Sequence, residues 1–141
     1  MDSFTPTTKT QQALSAAVQA ATAAGNSDVR PAHILVALLD QSDGIAAPLL
    51  KAVGVDPSTV RTLAQAIVDR APTVASASAT PQLSRESIAA VSAAQQLAGE
   101  LNDEYVSTEH LVVGLASGDS DVAKLLHNQG ATPPALREEF V

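Results

Sequence analysis

The 141-residue sequence contains no cysteine, which excludes disulfides, thiolate zinc sites and a cysteine nucleophile together. Aromatic residues make up 2% of a chain that is 45% hydrophobic, so the core must be built from Ala, Leu, Val and Ile in close helix contact. Lys and Arg number 8 against 15 Asp and Glu, a net charge of −7. Phosphate backbones are bound by clustered cations, so no nucleic-acid partner is expected. No glycine is followed by lysine; the phosphate-loop pattern is therefore missing, and the sequence predicts no cofactor in these residues. Glu109-His110 lacks the second histidine one turn later that a helical zinc site needs, so no metal is expected. No stretch approaches the roughly 18 apolar residues that cross a bilayer. The start, Met1-Asp2-Ser3-Phe4-Thr5-Pro6, lacks the basic and apolar segments of a secretory signal. The expectation is a cytoplasmic protein with no membrane partner.

What is present is a duplication. Val29-Arg30-Pro31-Ala32-His33-Ile34-Leu35-Val36-Ala37-Leu38 recurs 77 positions later as Val106-Ser107-Thr108-Glu109-His110-Leu111-Val112-Val113-Gly114-Leu115. The same offset superposes Ala13–Ala17 on Ala90–Ala94, and Leu49, Gly54, Pro57 and Arg61 match Leu125, Gly130, Pro133 and Arg137 at an offset of 76. A match that survives one deletion and keeps its Gly and Pro punctuation marks a repeated structural unit.

Periodicity and stop signals predict eight helices and no strand. The first runs from Thr8 to Ala24, capped by Thr7 or Thr8 and ended by Gly25-Asn26. Pro31 opens a second, nearly all interior helix, Ile45 to Val53 forms a third, and Asp56-Pro57 begins a fourth with the stripe Val60, Leu63, Ala64, Ile67 and Val68. Residues 73–80 are small, polar and aperiodic and read as a flexible connection. Ser84 caps a fifth helix with the stripe Ile88, Val91, Ala94, Ala98 and Leu101, and Ser107 caps a sixth from Thr108 to about Ala116. A seventh covers about Asp121 to Asn128, and an eighth begins at Thr132-Pro133. The predicted fold is all-α: about eight helices in two pseudo-twofold-related four-helix repeats. One domain spans 1–141, with repeat one at about 4–70, a linker at about 71–82 and repeat two at about 83–141.

His33 and His110 are repeat-equivalent, which favours a packing role inherited from duplication. Ser and Thr before helices read as caps, each contributing on the order of 1 kcal/mol. A serine nucleophile would need a histidine held by a carboxylate, and no Gly-x-Ser-x-Gly elbow is present to show one. Asp103 and Glu109 flank the turn into the sixth helix; a carboxylate in a first turn gains about 0.3–1 kcal/mol from the helix dipole without any function.

Thr-Glu-His-Leu-Val-Val-Gly-Leu in the second copy and Arg-Pro-Ala-His-Ile-Leu-Val-Ala-Leu-Leu in the first resemble the Clp amino-terminal repeat domain family, across nearly the whole chain. Phe4 to Gln11 and Asp119 to Leu126 look like its ClpB disaggregase branch, of mycobacterial or related actinobacterial type. The resemblance implies a substrate-docking domain tethered above a homohexameric AAA+ ring. That ring would use ATP and Mg, supplied elsewhere in a parent protein, to thread unfolded or aggregated polypeptide with the DnaK system. It implies capture by Thr7, Asp103 and Glu109 with an apolar surface that includes Leu97. At 100° per residue Leu97 falls toward the edge of its stripe, where partial exposure is expected. His110 stands where a homologue can carry an apolar groove-edge residue, and Arg30 stands where many repeats have a Ser or Thr cap. Thr7, Asp103 and Glu109 are expected on one face, with at least one carboxylate accessible. The fragment itself is expected to be monomeric and no enzyme. Two alternatives compete: a ClpC-like or ClpA-like domain receiving adaptors or substrates for a protease, and an enzyme in which His110 accepts a phosphoryl group, which requires an exposed imidazole.

Overall fold

The computed structural model describes residues 5–74 and 80–140. They form eight helices: α1 (Thr8–Ala24), α2 (Pro31–Leu39), α3 (Ala46–Ala52), α4 (Pro57–Asp69), α5 (Arg85–Glu100), α6 (Thr108–Ala116), α7 (Asp121–Gln129) and α8 (Pro133–Glu138). Their boundaries follow from local chemistry. The side chains of Thr7, Asp56, Ser84, Ser120 and Thr132 each accept a first-turn amide, which would otherwise lack a partner. Pro31, Pro57 and Pro133 occupy opening positions where a missing N–H costs nothing. Gly25 and Gly130 end α1 and α7 in the left-handed conformation, with φ of 75° and 103°.

Helices α2 and α6 are the buried centre. Leu35, Leu38, Leu111 and Leu115 are fully enclosed, and α2 packs on α1, α4, α7, α5 and α6. Helices α1 and α5 offer alanine faces to them, Ala13, Ala17 and Ala21 in one and Ala90, Ala94 and Ala98 in the other. Small residues let backbones approach closely, which is how a core with so few aromatic residues is filled.

Two stripe positions differ from expectation: Leu63 and Ile88 are exposed. In α4 the inward face narrows to Val60, Ala64 and Val68. In α5 the inward position belongs to Ser87, whose Oγ donates to the Val29 carbonyl at 2.7 Å. That bond turns Ser87 inward and leaves Ile88 on the outer side.

The structure also contains strands that the sequence does not announce. β1 (Asp28–Val29) pairs in parallel with β2 (Gln82–Leu83), and Pro6 bridges Val106 in the same sense. Two residues are too few to display a period of two. These pairings join the halves reciprocally. The Thr7 amide donates to the Val106 carbonyl at 3.1 Å, and the Ser84 amide, 77 positions later, donates to the Val29 carbonyl at 2.9 Å. The segment before each half's first helix is thus bound by the other half. The connection is also less loose than expected at its start, since Thr73 bridges Asn26 and Val74 donates to the Gly25 carbonyl at 2.8 Å. The rest of the small-residue stretch, 75–79, lies outside the described residues.

The halves differ at one packing position. A Cβ on Gly114 would lie 2.2 Å from the Ala90 carbonyl oxygen, so α6 seats against α5 only because that position is glycine. Its equivalent in α2 is Ala37. Gly114→Ala should therefore cost about 1–3 kcal/mol by overpacking. Gly99, exposed within α5 with open space around its Cα, should instead gain about 0.5–1 kcal/mol as Ala. Urea unfolding of both variants checks this: two shifts of the same sign would mean that the α5–α6 contact is not the limiting one.

Candidate functional site

The two histidines do the same work in each half. The Arg30 amide donates to His33 Nδ1 at 2.9 Å, and the Ser107 amide donates to His110 Nδ1 at 2.9 Å. A backbone N–H can only donate, so both Nδ1 atoms are bare and the proton sits on Nε2. His33 Nε2 then donates to Asn26 Oδ1 at 2.9 Å, and His110 Nε2 donates to Asp103 Oδ2 at 2.7 Å. Each histidine thus satisfies the amide at the start of its helix, in the manner of a capping-box glutamate, and ties down the loop seven residues upstream. Asn26 and Asp103 are themselves 77 apart.

Ser107 Oγ lies 2.9 Å from His110 Nδ1, so serine, histidine and carboxylate stand in a row that resembles a nucleophile and its base. The first half argues against that chemistry. It builds the same histidine bridge from Arg30 and Asn26, with neither hydroxyl nor carboxylate, so the arrangement is structural. His110 is 3% exposed, which also removes the phosphoacceptor reading.

The structure places Thr7 against the α5–α6 loop, whose residue Val106 lies between Asp103 and Glu109 in the chain. Thr7 caps α1, Asp103 follows the end of α5, and Glu109 sits in the first turn of α6. The bonds from the Thr7 amide to the Val106 carbonyl and from the Val106 amide to the Thr5 carbonyl, at 3.1 and 2.8 Å, hold the first segment against the α5–α6 loop. Two helix amino termini meet there, and their partial positive charge favours the carboxylates. Asp103 is 48% exposed even while bonded to His110; Thr7 and Glu109 are half-buried.

Two expected site residues offer no surface. Leu97 is 5% exposed, packed within the core. It lies on the α5 face that includes Ala94 and Ala98, so the inward arc is wider than the stripe predicts. His110 is interior as well, and any part it has in the site passes through Asp103. Two features had no signal in the sequence. Tyr105 is an exposed aromatic residue beside the carboxylates. A groove of about 630 Å³ lies between α1, α2 and α4, with Ala13, Ala16, Ala37 and Val68 on its apolar side and Lys9 and Asp40 among its polar groups. Ala37, the counterpart of Gly114, lines it.

Comparison with known proteins identifies the family and the fold. The model of the Clp repeat (R) N-terminal domain matches residues 5–129. The chain is 69% identical over 141 residues to the chaperone protein ClpB of Mycobacterium tuberculosis, covering 100% of this chain and 17% of that protein. For ClpB of Mycobacterium leprae the identity is 62%, again over 100% of this chain and 17% of the relative, and for that of Corynebacterium glutamicum it is 53%, over 99% and 16%. The chain therefore spans about a sixth of the length of these relatives. Among solved structures, the Hsp104 N-terminal domain from Candida albicans superposes with a TM-score of 0.81 at 16% identity, covering 98% of this chain and 89% of that one. A ClpV N-domain in complex with a VipB peptide gives 0.75 at 18% identity, covering 99% and 92%. At such identities these two establish the fold alone.

The buried histidine of the first half makes stability depend on pH. Burial lowers the His33 pKa below that of a free imidazole; the Asp28 charge opposes this without reversing it. The unfolded chain therefore takes up a proton at a pH where the folded chain does not. Stability from this group is complete above about 6.5 and is lost as pH falls below it, by at most about 1.4 kcal/mol per pH unit. The urea midpoint should drop between pH 7.5 and 5.5, and His33→Gln should flatten that drop. An equal slope in the variant would show that other groups carry it.

Proposed function

The chain belongs to the Clp repeat N-terminal domain family and is of the ClpB chaperone type within it; from that premise we propose that it is the part of a disaggregase that docks unfolded or aggregated polypeptide. Three relatives bearing the ClpB name at 53–69% identity favour this branch over a ClpC-like or ClpA-like domain serving a protease. ATP, Mg, the hexameric ring and cooperation with the DnaK system belong in this reading to the parent protein. The 141 residues hold the client and hand it on.

The observation that carries the reading is the accessible Asp103 carboxylate beside Glu109 and Thr7, at the junction where the two halves are hydrogen-bonded. An unfolded client exposes amides and apolar side chains together. Acceptor carboxylates next to Tyr105 address both, with weak binding that suits release to a motor. Leu97 and His110 support this surface from beneath.

The His110 bond decides how the test must be designed. Asp103→Ala leaves a buried Nε2–H without an acceptor, a loss of about 1–3 kcal/mol that would confuse stability with binding. Asp103→Asn keeps the acceptor, as Asn26 does in the first half, and removes only the charge. Asp103→Asn and Glu109→Gln should each weaken capture of a reduced, permanently unfolded model protein by about three-fold, the scale of an exposed charge interaction. The melting temperature should move little in either. Unchanged capture in both variants would remove the docking assignment and leave the family membership intact.

A further inference from the structure

The exposed Leu63 does not stand alone. Helices α4 and α7 pack together and leave a groove of about 400 Å³ along their outer side. Leu63, Ile67 and Arg70, spaced by four and three residues, border it from α4, and Lys124, Leu125 and Asn128 border it from α7. Leu63 is 40% exposed, while Ile67 and Leu125 are half-buried and packed against the core beneath. Each wall thus presents one helical face to the groove, the arrangement that receives a third helix.

The charge on this groove runs against that of the chain. Of the 8 Lys and Arg in a chain of net charge −7, Lys9, Arg30, Arg61 and Arg137 are held in ion pairs. Arg70 and Lys124 are exposed and have no carboxylate partner among the described residues. The carboxylate that borders the groove, Asp121, lies in the first turn of α7, where the helix dipole balances it. The twin positions have neither feature: at the 76-residue offset Lys124 corresponds to Pro48, and Leu125 to the buried Leu49. Both walls lie inside the sequence, and the groove is remote from Phe140, the last described residue. Phe140 meets the His110 ring edge-on at 6.1 Å, by the start of α6. The groove adjoins the start of α2 instead, since Ile67 and Asp121 also line a small pocket with Arg30. The Thr7–Val106 and Asn26–His33 bonds fix these two helix starts at opposite ends of α1, about 25 Å apart.

We propose that this groove docks an amphipathic, acidic helix of a partner protein, at a surface separate from the client site. Leucine-like side chains three and four residues apart cover Leu63, Ile67 and Leu125, and carboxylates flanking that seam meet Arg70 and Lys124. Burial of the apolar side chains supplies the attraction, and the two cations select the sign of the occupant's charge. The proposal goes beyond the docking reading, because the client site is acidic, at Asp103 and Glu109, and a ligand suited to one surface is disfavoured at the other. The two surfaces can be occupied together.

The probe is a blocked peptide of two Glu-Leu-Ala-Ala-Leu-Glu-Ala heptads, an acidic helix about 21 Å long. Its controls are a twin with Lys for every Glu and an acidic isomer whose leucines and alanines are shuffled so that no helical stripe forms. Titrated into the 141-residue chain and followed by amide resonances, the acidic helix should shift Leu63, Ile67, Lys124 and Leu125. It should bind about ten-fold more tightly than the lysine twin, the scale of two exposed charge pairs. Reversing both cations, Arg70→Glu with Lys124→Glu, should invert that preference, and Leu63→Ala should weaken both helices. These side chains are at the surface, so the melting temperature should move little. No shift at millimolar peptide, equal affinity for the two twins, binding of the shuffled isomer as tight as that of the helix, or shifts confined to other faces would each overturn the proposal. So would a response of these resonances to phosphatidylglycerol vesicles and not to the peptide, which would make the groove a membrane contact. Capture of the unfolded model protein separates this proposal from the docking reading. The charge-reversed variant should capture it as the unaltered chain does; loss of capture there would make the groove part of the client site and overturn its separate role. Unchanged capture in the carboxylate variants would remove the docking reading alone and leave the preference of the groove standing.

Discussion

The fold depends on a reciprocal exchange of backbone hydrogen bonds. The amides of Thr7 and Ser84 donate to the carbonyls of Val106 and Val29, so the segment leading into each half's first helix is bound by the other half. Each carbonyl so engaged precedes the buried helix that carries a histidine, and each amide belongs to the residue that caps an alanine-faced helix. Shifting either pairing by one residue would turn its side chains to the wrong face and misplace a cap together with a core helix. Local bonds thereby set the relation of two halves whose small side chains leave little room for misfit.

Much of this architecture was legible in the sequence because it rests on patterns that repeat. The 77-residue offset, the capping residues and the positions of Pro31, Pro57 and Pro133 specify eight helices and their starts. The short parallel pairs were not legible, since two residues carry no periodicity. Nor was the exposure of Leu63 and Ile88. A stripe counted by hydrophobicity alone admits Ile88, whereas the structure turns Ser87 inward to bond the Val29 carbonyl. Hydroxyls that satisfy buried carbonyls are core residues in a helix, and hydropathy scores them as surface.

The candidate site was read with similar unevenness. Resemblance pointed to Thr7, Asp103 and Glu109, and the α5–α6 loop gathers them. It also named Leu97 and His110, which are interior. What the sequence held without disclosing was that Asp103 is the twin of Asn26, and that both accept from a repeat-equivalent histidine. One residue can serve the fold through one oxygen and a ligand through the other. A family motif does not separate these roles; the hydrogen-bond partners do.

Duplication explains how a small helical domain acquires local asymmetry. Two copies of one unit begin with the same bonds to satisfy, and each later departure leaves a local surplus or deficit. Ala37 lines a groove beside α2, whereas its counterpart Gly114 sits in close contact with α5. Aspartate at 103 where the first half has Asn26 keeps the histidine's acceptor but replaces a donor with an acceptor. The core tolerates both changes because the histidine bridge and the exchanged backbone bonds remain satisfied. What changes is the surface: a covered amide becomes an accessible carboxylate. The surface of this domain departs from the symmetry of its scaffold where the two halves carry different residues, and those positions characterise each half better than the positions they share.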